Sequence, residues 1–272
     1  MKVTVLGCGG SGGVPLITGD WGCCNPDNPR NRRRRVSALV EQGDTTILID
    51  TSPDLRAQFL DAGVTRLDAV LYTHEHADHC HGIDELRAFG HGRKGGAIPA
   101  YGTAEALDLL RQRFRYIFEQ SGEGSGVLYR PLLEARTVDG PFAVMGIPVT
   151  PFVQDHGYGT TTTGYRIGGM AYSTDVVGLD DAAFAAIENL DLWIVDCLRY
   201  EPHPTHAHFD LTLSWIARAK PKRAILTHLN HLLDYDDLAS RCPPGVEPGY
   251  DGLVAEIGDA RMATSQPKLN FP

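Results

Sequence analysis

The stretch His74-Glu75-His76-Ala77-Asp78-His79, directly after the apolar run Leu67 to Tyr72, decides how the rest of this chain is read. It sets three histidines and an aspartate within six residues. Alternate residues of an extended chain point to the same side, so His74 and His76 can face one point where a strand ends at Thr73. Asp78 and His79 come a turn later and can face a second point close by. Imidazole nitrogens with one carboxylate suit Zn, Fe, Mn or Ni better than Ca or Mg. Ligands this dense predict a binuclear metal site, against the plainer reading of a solvated histidine-rich turn.

Further histidines and aspartates stand where other apolar runs end. His156 lies in Asp155-His156-Gly157, Asp175 closes Ser173-Thr174-Asp175, and His228 follows Thr227. This recurrence places the ligands along one rim of a sheet layer. Asp50, after the strand Thr45 to Ile49, either caps a turn or orients a metal-binding histidine. The loop Arg199 to His208 carries His203, His206 and His208. Nothing in the spacing of His203 and His206 fixes them, and they read as surface residues.

The length of 272 residues suits one domain over 1–272, and 42% apolar with 22% charged residues is ordinary for a globular protein. A net charge of −9 argues against strong binding to nucleic-acid backbones or anionic membranes. No apolar run approaches the roughly 18 residues of a membrane span. The six cysteines show no disulfide-framework spacing and Met1 to Gly7 opens directly on a strand, so a reducing cytoplasm is the expected location.

In chain order, Val3 to Leu6 leads into the glycine-rich Gly7 to Gly13. Pro15 and the lack of a following helical pattern exclude a dinucleotide fingerprint there. The run Arg30 to Arg35 either meets an anionic phosphate, which guanidinium groups hold in a bidentate way, or forms a solvated loop. Val36 to Glu41 and Thr45 to Ile49 predict a hairpin over Gly43-Asp44. Helices are predicted over Pro53 to Ala62, Gly82 to Phe89, Thr103 to Phe118, Leu179 to Ile187 and Leu211 to Ala219. Later strands are predicted at Ile98–Tyr101, Val127–Val138, Phe142–Pro151, Thr162–Ile167, Met170–Ser173, Leu190–Val195, Ala224–Leu226 and Tyr250–Ile257. Glu119 to Gly126 reads as a polar lid, and Thr264 to Pro272 as a tail.

With those residues in order, the chain resembles the metallo-β-lactamase superfamily over nearly its whole length. The resemblance implies an α/β fold of the four-layer αββα type, two mixed sheets face to face with helices outside. The glycine-rich opening and Leu226-Thr227-His228-x-x-His231 look like its phosphodiesterase branch, the enzymes that open phosphoribosyl cyclic phosphate in phosphonate breakdown. That branch implies His74, His76 and His156 on one ion, Asp78, His79 and His228 on another, and Asp175 bridging them. The ions would be Zn or Mn. His208, before Phe209-Asp210-Leu211, falls where the branch places its general acid, and Asp78 joins it among the catalytic residues. Arg34, Arg35 and Ser11 are the expected substrate contacts. In that branch a separate structural zinc sits on a C-x-C-x-x-C loop and the histidine at 231. Only Cys23 and Cys24 represent the cysteines here, and the segment Phe114 to Gly140 is longer than the branch has.

Two ions about 3.5–4 Å apart can share a hydroxide that attacks phosphorus, leaving protonation of the departing alkoxide to a histidine. The function implied is therefore opening of a cyclic or small nucleotide or sugar phosphodiester. Three alternatives stay open: tRNA 3′-end processing, lactone or thioester hydrolysis, and an accessory role in quinone-cofactor synthesis. The expected partner is a small phosphodiester, with a homodimer as one open assembly.

Overall fold

Val3 and Val5, Ala38 and Val40, Ile47 and Ile49, and Ala69 and Leu71 are buried in one apolar cluster. Leu39, Leu48 and Val70, which alternate with them, are buried in another. Successive side chains of a strand leave opposite faces, so this period of two means a sheet covered on both sides. The structure, a computed structural model, describes residues 1–90, 96–119 and 131–258. Among these, the strands are β1 (Lys2–Gly7), β2 (Ser37–Gln42), β3 (Thr45–Ile49), β4 (Ala69–Leu71), β5 (Ile98–Gly102), β6 (Leu133–Thr137) and β7 (Phe142–Val144). They continue with β8 (Ile147–Gly157), β9 (Thr160–Ile167), β10 (Met170–Ser173), β11 (Leu192–Asp196), β12 (Arg223–Thr227), β13 (Val246–Pro248) and β14 (Val254–Glu256).

Two seven-stranded sheets result, ordered β14-β1-β2-β3-β4-β5-β6 and β13-β12-β11-β10-β9-β8-β7. Both are mixed. Pairing is antiparallel up to β3 in the first and between β7 and β10 in the second, then parallel through β3-β4-β5-β6 and β10-β11-β12-β13. The cluster between the sheets joins Val5, Ile47 and Leu71 to Tyr165, Met170 and Tyr172. On the outer face of the first sheet, α1 (Leu55–Ala62) contributes Leu55 and Phe59. The short helices α2 (Ala77–Cys80) and α3 (Arg87–Gly90) precede α4 (Ala104–Arg113), which adds Leu107 and Leu110, and α5 (Arg115–Phe118). Beside the second sheet, α6 (Asp181–Ala186), α7 (Phe209–Ala219) and α8 (Tyr235–Arg241) supply Phe184, Trp215 and Leu238. This is the expected αββα sandwich.

The differences from expectation are local. The helix read from Thr103 breaks at Phe114, although Thr103 caps it as predicted, Oγ1 accepting the Ala106 N–H at 3.2 Å. β13 and α8 have too few apolar residues to show a period. Of the polar lid only Glu119 is described, and the tail lies outside the described residues. Among the described residues no helix is long and apolar enough to cross a membrane.

Parallel strands in register end together, and this builds the site. Ser173 lies beside Val195, and Asp196 beside Thr227, so Asp175, Asp196 and His228 emerge from neighbouring strand ends. In the first sheet Ile49 lies beside Leu71, which brings Asp50 next to the chain leading to His74. The sheets are tied at this edge by Thr163 N–H to the Thr73 carbonyl (2.9 Å) and Tyr165 O–H to the Tyr72 carbonyl (2.8 Å).

Candidate metal centre

Asp50, Asp175 and His228 share a conformation that only glycine adopts freely, with φ of 59°, 55° and 59°. Such backbone costs roughly 1–3 kcal/mol per residue and persists where the surroundings enforce it. Here it turns each side chain away from its strand end and into the rim. His156 is aimed differently. The β8–β9 register shifts between Asp155 and Gly157, and the irregularity redirects the imidazole that sits on it.

His74, His76, His156 and Asp175 form one group of converging donor atoms, and Asp78, His79, Asp175 and His228 a second. Asp175 belongs to both. Its Oδ1 lies 3.8 Å from His74 Nε2 and 4.0 Å from His156 Nε2, while Oδ2 lies 3.0 Å from His79 Nε2 and 3.4 Å from His228 Nε2. Asp78 Oδ2 completes the second group at 3.4 Å from His79 Nε2 and 3.5 Å from His228 Nε2. One carboxylate oxygen therefore serves each group.

The Nδ1 atoms of His74, His79 and His156 have neighbours that fix their tautomers. Asp50, fully buried, accepts from Thr73 N (2.8 Å), Thr73 Oγ1 (2.7 Å) and His79 Nδ1 (2.7 Å). With its hydroxyl proton committed to Asp50, Thr73 Oγ1 can only accept from His74 Nδ1, 3.0 Å away. His156 Nδ1 donates to the Thr205 carbonyl at 2.9 Å. In these three rings Nε2 is left with a lone pair facing the centre, as metal-binding imidazoles require. Behind the turn, the Glu75 carbonyl accepts from Arg113 on α4 and from Cys80 Sγ.

Does this donor set fit divalent ions? The buried Nε2 atoms of His74, His79 and His228 have no hydrogen-bond partner, even where a carboxylate oxygen is 3.0 Å away. Buried polar atoms are rarely left so, and several aimed at one point are ligands for a cation. The electrostatics agree. Burial pushes the Asp175 carboxyl up, but His228 and His79 outweigh it and hold it well below the usual range. Burial also disfavours a charged His228, yet Asp175 leads a set of carboxylates that raises it to about 9. The acids thus remain anionic, with cationic charge drawn to them. The residues fit.

The loop Arg199 to His208 departs from expectation. His206, not His208, turns into the centre. Its Nε2 lies 3.8 Å from Asp175 Oδ1, its ring stacks on His228 at 4.6 Å, and Nδ1 donates to Asp196 Oδ2 at 3.2 Å. His208 is the residue before α7, its carbonyl accepting the Thr212 N–H at 2.9 Å, and it joins none of the ligand groups. Asp196, His206 and His228 form a third grouping. Asp196 Oδ2 accepts from Val176 N and His206 Nδ1, so Asp196 orients the His206 ring. The signal for His206 was Asp196 at the end of a buried strand, a carboxylate that needs a partner.

The arginines expected to contact substrate have acidic partners within the chain. Arg34 pairs with Asp61 at 2.7 Å and Arg35 with Asp54 at 3.0 Å, which engages both guanidinium groups. Arg33 is fully buried and donates to the Asn230 carbonyl and to Asn31 Oδ1. Ser11 is exposed on the turn after Gly10, where a Cβ would lie 3.4 Å from the His228 ring. Cys23, Cys24 and His231 form no ligand group: Cys23 is exposed, and Cys24 Sγ donates to the carbonyls of His231 (3.4 Å) and Leu233 (3.3 Å). Backbone and polar side chains hold this loop.

Fold and site define an αββα sandwich with a candidate metal centre on its rim. The model of the β-lactamase superfamily domain matches residues 45–229, and the chain belongs to the metallo-β-lactamase superfamily. It falls in the PhnP branch: a crystal structure of a new diphosphatase from the PhnP family superposes with a TM-score of 0.86 at 35% identity, covering 95% of this chain and 98% of that one. An octanoyltransferase of Porphyromonas gingivalis is 34% identical over 95% of this chain, which covers 52% of that protein. The chain thus spans about half the length of the curated relatives it matches. Zn(2+)-bound PqqB from Methylobacterium extorquens shares the fold, with a TM-score of 0.69 at 19% identity over 94% of this chain and 100% of that one.

Proposed function

We propose that the protein hydrolyses a phosphorus–oxygen bond of a small phosphodiester, of the cyclic or nucleotide and sugar class, using two divalent ions, Zn or Mn. The observation that carries this is Asp175, one oxygen toward each histidine group, with His206 across from it. His74, His76 and His156 would hold one ion, Asp78, His79 and His228 the other, with Asp175 between them. When bound, such ions activate water and withdraw charge from phosphoryl oxygens. The chain's own contribution is the proton. His206 is held by Asp196 through Nδ1, so Nε2 is the atom that gives a proton to a departing alkoxide. The net charge of −9 counts against a structured RNA as substrate.

A diphosphate linkage is the second reading, favoured by the PhnP-family diphosphatase. The assay sets bis-p-nitrophenyl phosphate, a cyclic nucleotide, a dinucleoside diphosphate and a lactone side by side. Turnover of the lactone alone overturns the proposal. His206→Ala lowers turnover of alkyl leaving groups by about 10²–10⁴-fold, the usual worth of general acid catalysis, and spares p-nitrophenyl esters. Equal losses on both substrates remove it from this role.

A further inference from the structure

The hairpin joining β8 to β9 carries a residue that neither backbone preference nor burial explains. Tyr158 and Gly159 are its two central residues, with φ of 52° and 79°, the signs a type I′ turn requires. Asn-Gly and Asp-Gly suit that turn, whereas positive φ in a bulky aromatic residue is an outlier. Burial offers no compensation, because Tyr158 is 84% exposed. Its place in the fold supplies a reason. It comes two residues after His156, and the turn abuts the loop that carries His206. A Cβ on Gly157 would lie 2.3 Å from the Pro204 carbonyl oxygen, so glycine alone permits that contact. Tyr158 is therefore two residues along the chain from a candidate ligand, in a turn whose backbone meets the loop that carries His206.

We propose that Tyr158 is a stacking platform for the nucleobase of a bound nucleotide, which makes it a specificity-determining residue; this rests on the phosphoester reading above. A phenol ring presents a flat apolar face to any base, and base–aromatic stacking is strong enough to set substrate preference.

The test uses metal-loaded protein and two diesters with one chromophore, thymidine 5′-p-nitrophenyl phosphate and methyl p-nitrophenyl phosphate. Tyr158→Asn lowers the ratio of kcat/KM for the first over the second about tenfold, through KM, and Tyr158→Phe keeps it. Calorimetry with thymidine 5′-monophosphate gives a readout independent of turnover: Kd rises about tenfold in Tyr158→Asn and stays put in Tyr158→Phe. The melting temperature of Tyr158→Asn equals or exceeds that of the parent, since asparagine suits the turn. An unchanged ratio and Kd in Tyr158→Asn overturn the platform. Tyr158-dependent nucleotide binding without diester turnover upholds the platform and overturns the phosphoester reading.

Discussion

Asp50 touches no candidate ion, yet it sets the direction of two rings, His79 directly and His74 through Thr73. Partners of this kind are worth about 10–100-fold in metal affinity. Asparagine tolerates the same positive φ, so Asp50→Asn keeps the backbone and changes only the hydrogen bonds. Competition with a chromogenic chelator should register that loss, and unchanged affinity would refute the role given to Asp50. Asp251 makes a prediction about pH. Burial raises it to about 6, against the pull of the N–H groups of Arg34 and Cys8. An unfolded aspartate titrates near 3.9, so between about pH 4 and 6 the folded chain holds a proton that the unfolded chain has lost. The contribution of Asp251 to stability is therefore greatest at low pH, falls as pH rises through that window, and levels off above it. Urea midpoints should fall more steeply across the window for the parent than for Asp251→Asn. Parallel slopes would contradict the raised value.

At the scale of elements, the N-terminal loop shows how packing can overrule a motif. Arg33 links Asn230 and Asn31, Asn31 Nδ2 donates to Asp234 Oδ2 at 2.7 Å, and Asn25 N–H reaches the same oxygen at 2.9 Å. Arg33→Met leaves the Asn230 carbonyl and Asn31 Oδ1 without this donor and should cost about 2–4 kcal/mol, with metal content per chain unchanged. A fall in bound zinc on chemical unfolding of this loop would instead indicate a structural ion. The arginine run was read as a phosphate contact or a solvated loop because charge alone does not reveal burial, and Asn230, which Arg33 reaches, lies 197 residues away in the chain. His206 was missed for a related reason. It sits between Thr205 and Ala207 on an irregular loop, where no period assigns a face, and only contact with Asp196 and His228 gives it direction. The ligands on strand ends were legible because the strands announce their own ends.

For the whole molecule, the apolar runs made the separate strands readable, and the two-sheet sandwich came with the resemblance. The order of strands within each sheet was legible in neither. The sandwich brings to one edge side chains spread from His74 to His228, and its apolar core does not depend on them. The most direct measurement of the central claim is metal content per chain by elemental analysis, for the parent and His228→Ala, after loading with zinc or manganese and exhaustive dialysis. Two equivalents in the parent and one in the variant, with equal circular dichroism, are the predicted result. A parent that retains none, or a variant that retains as many ions as the parent, would contradict it.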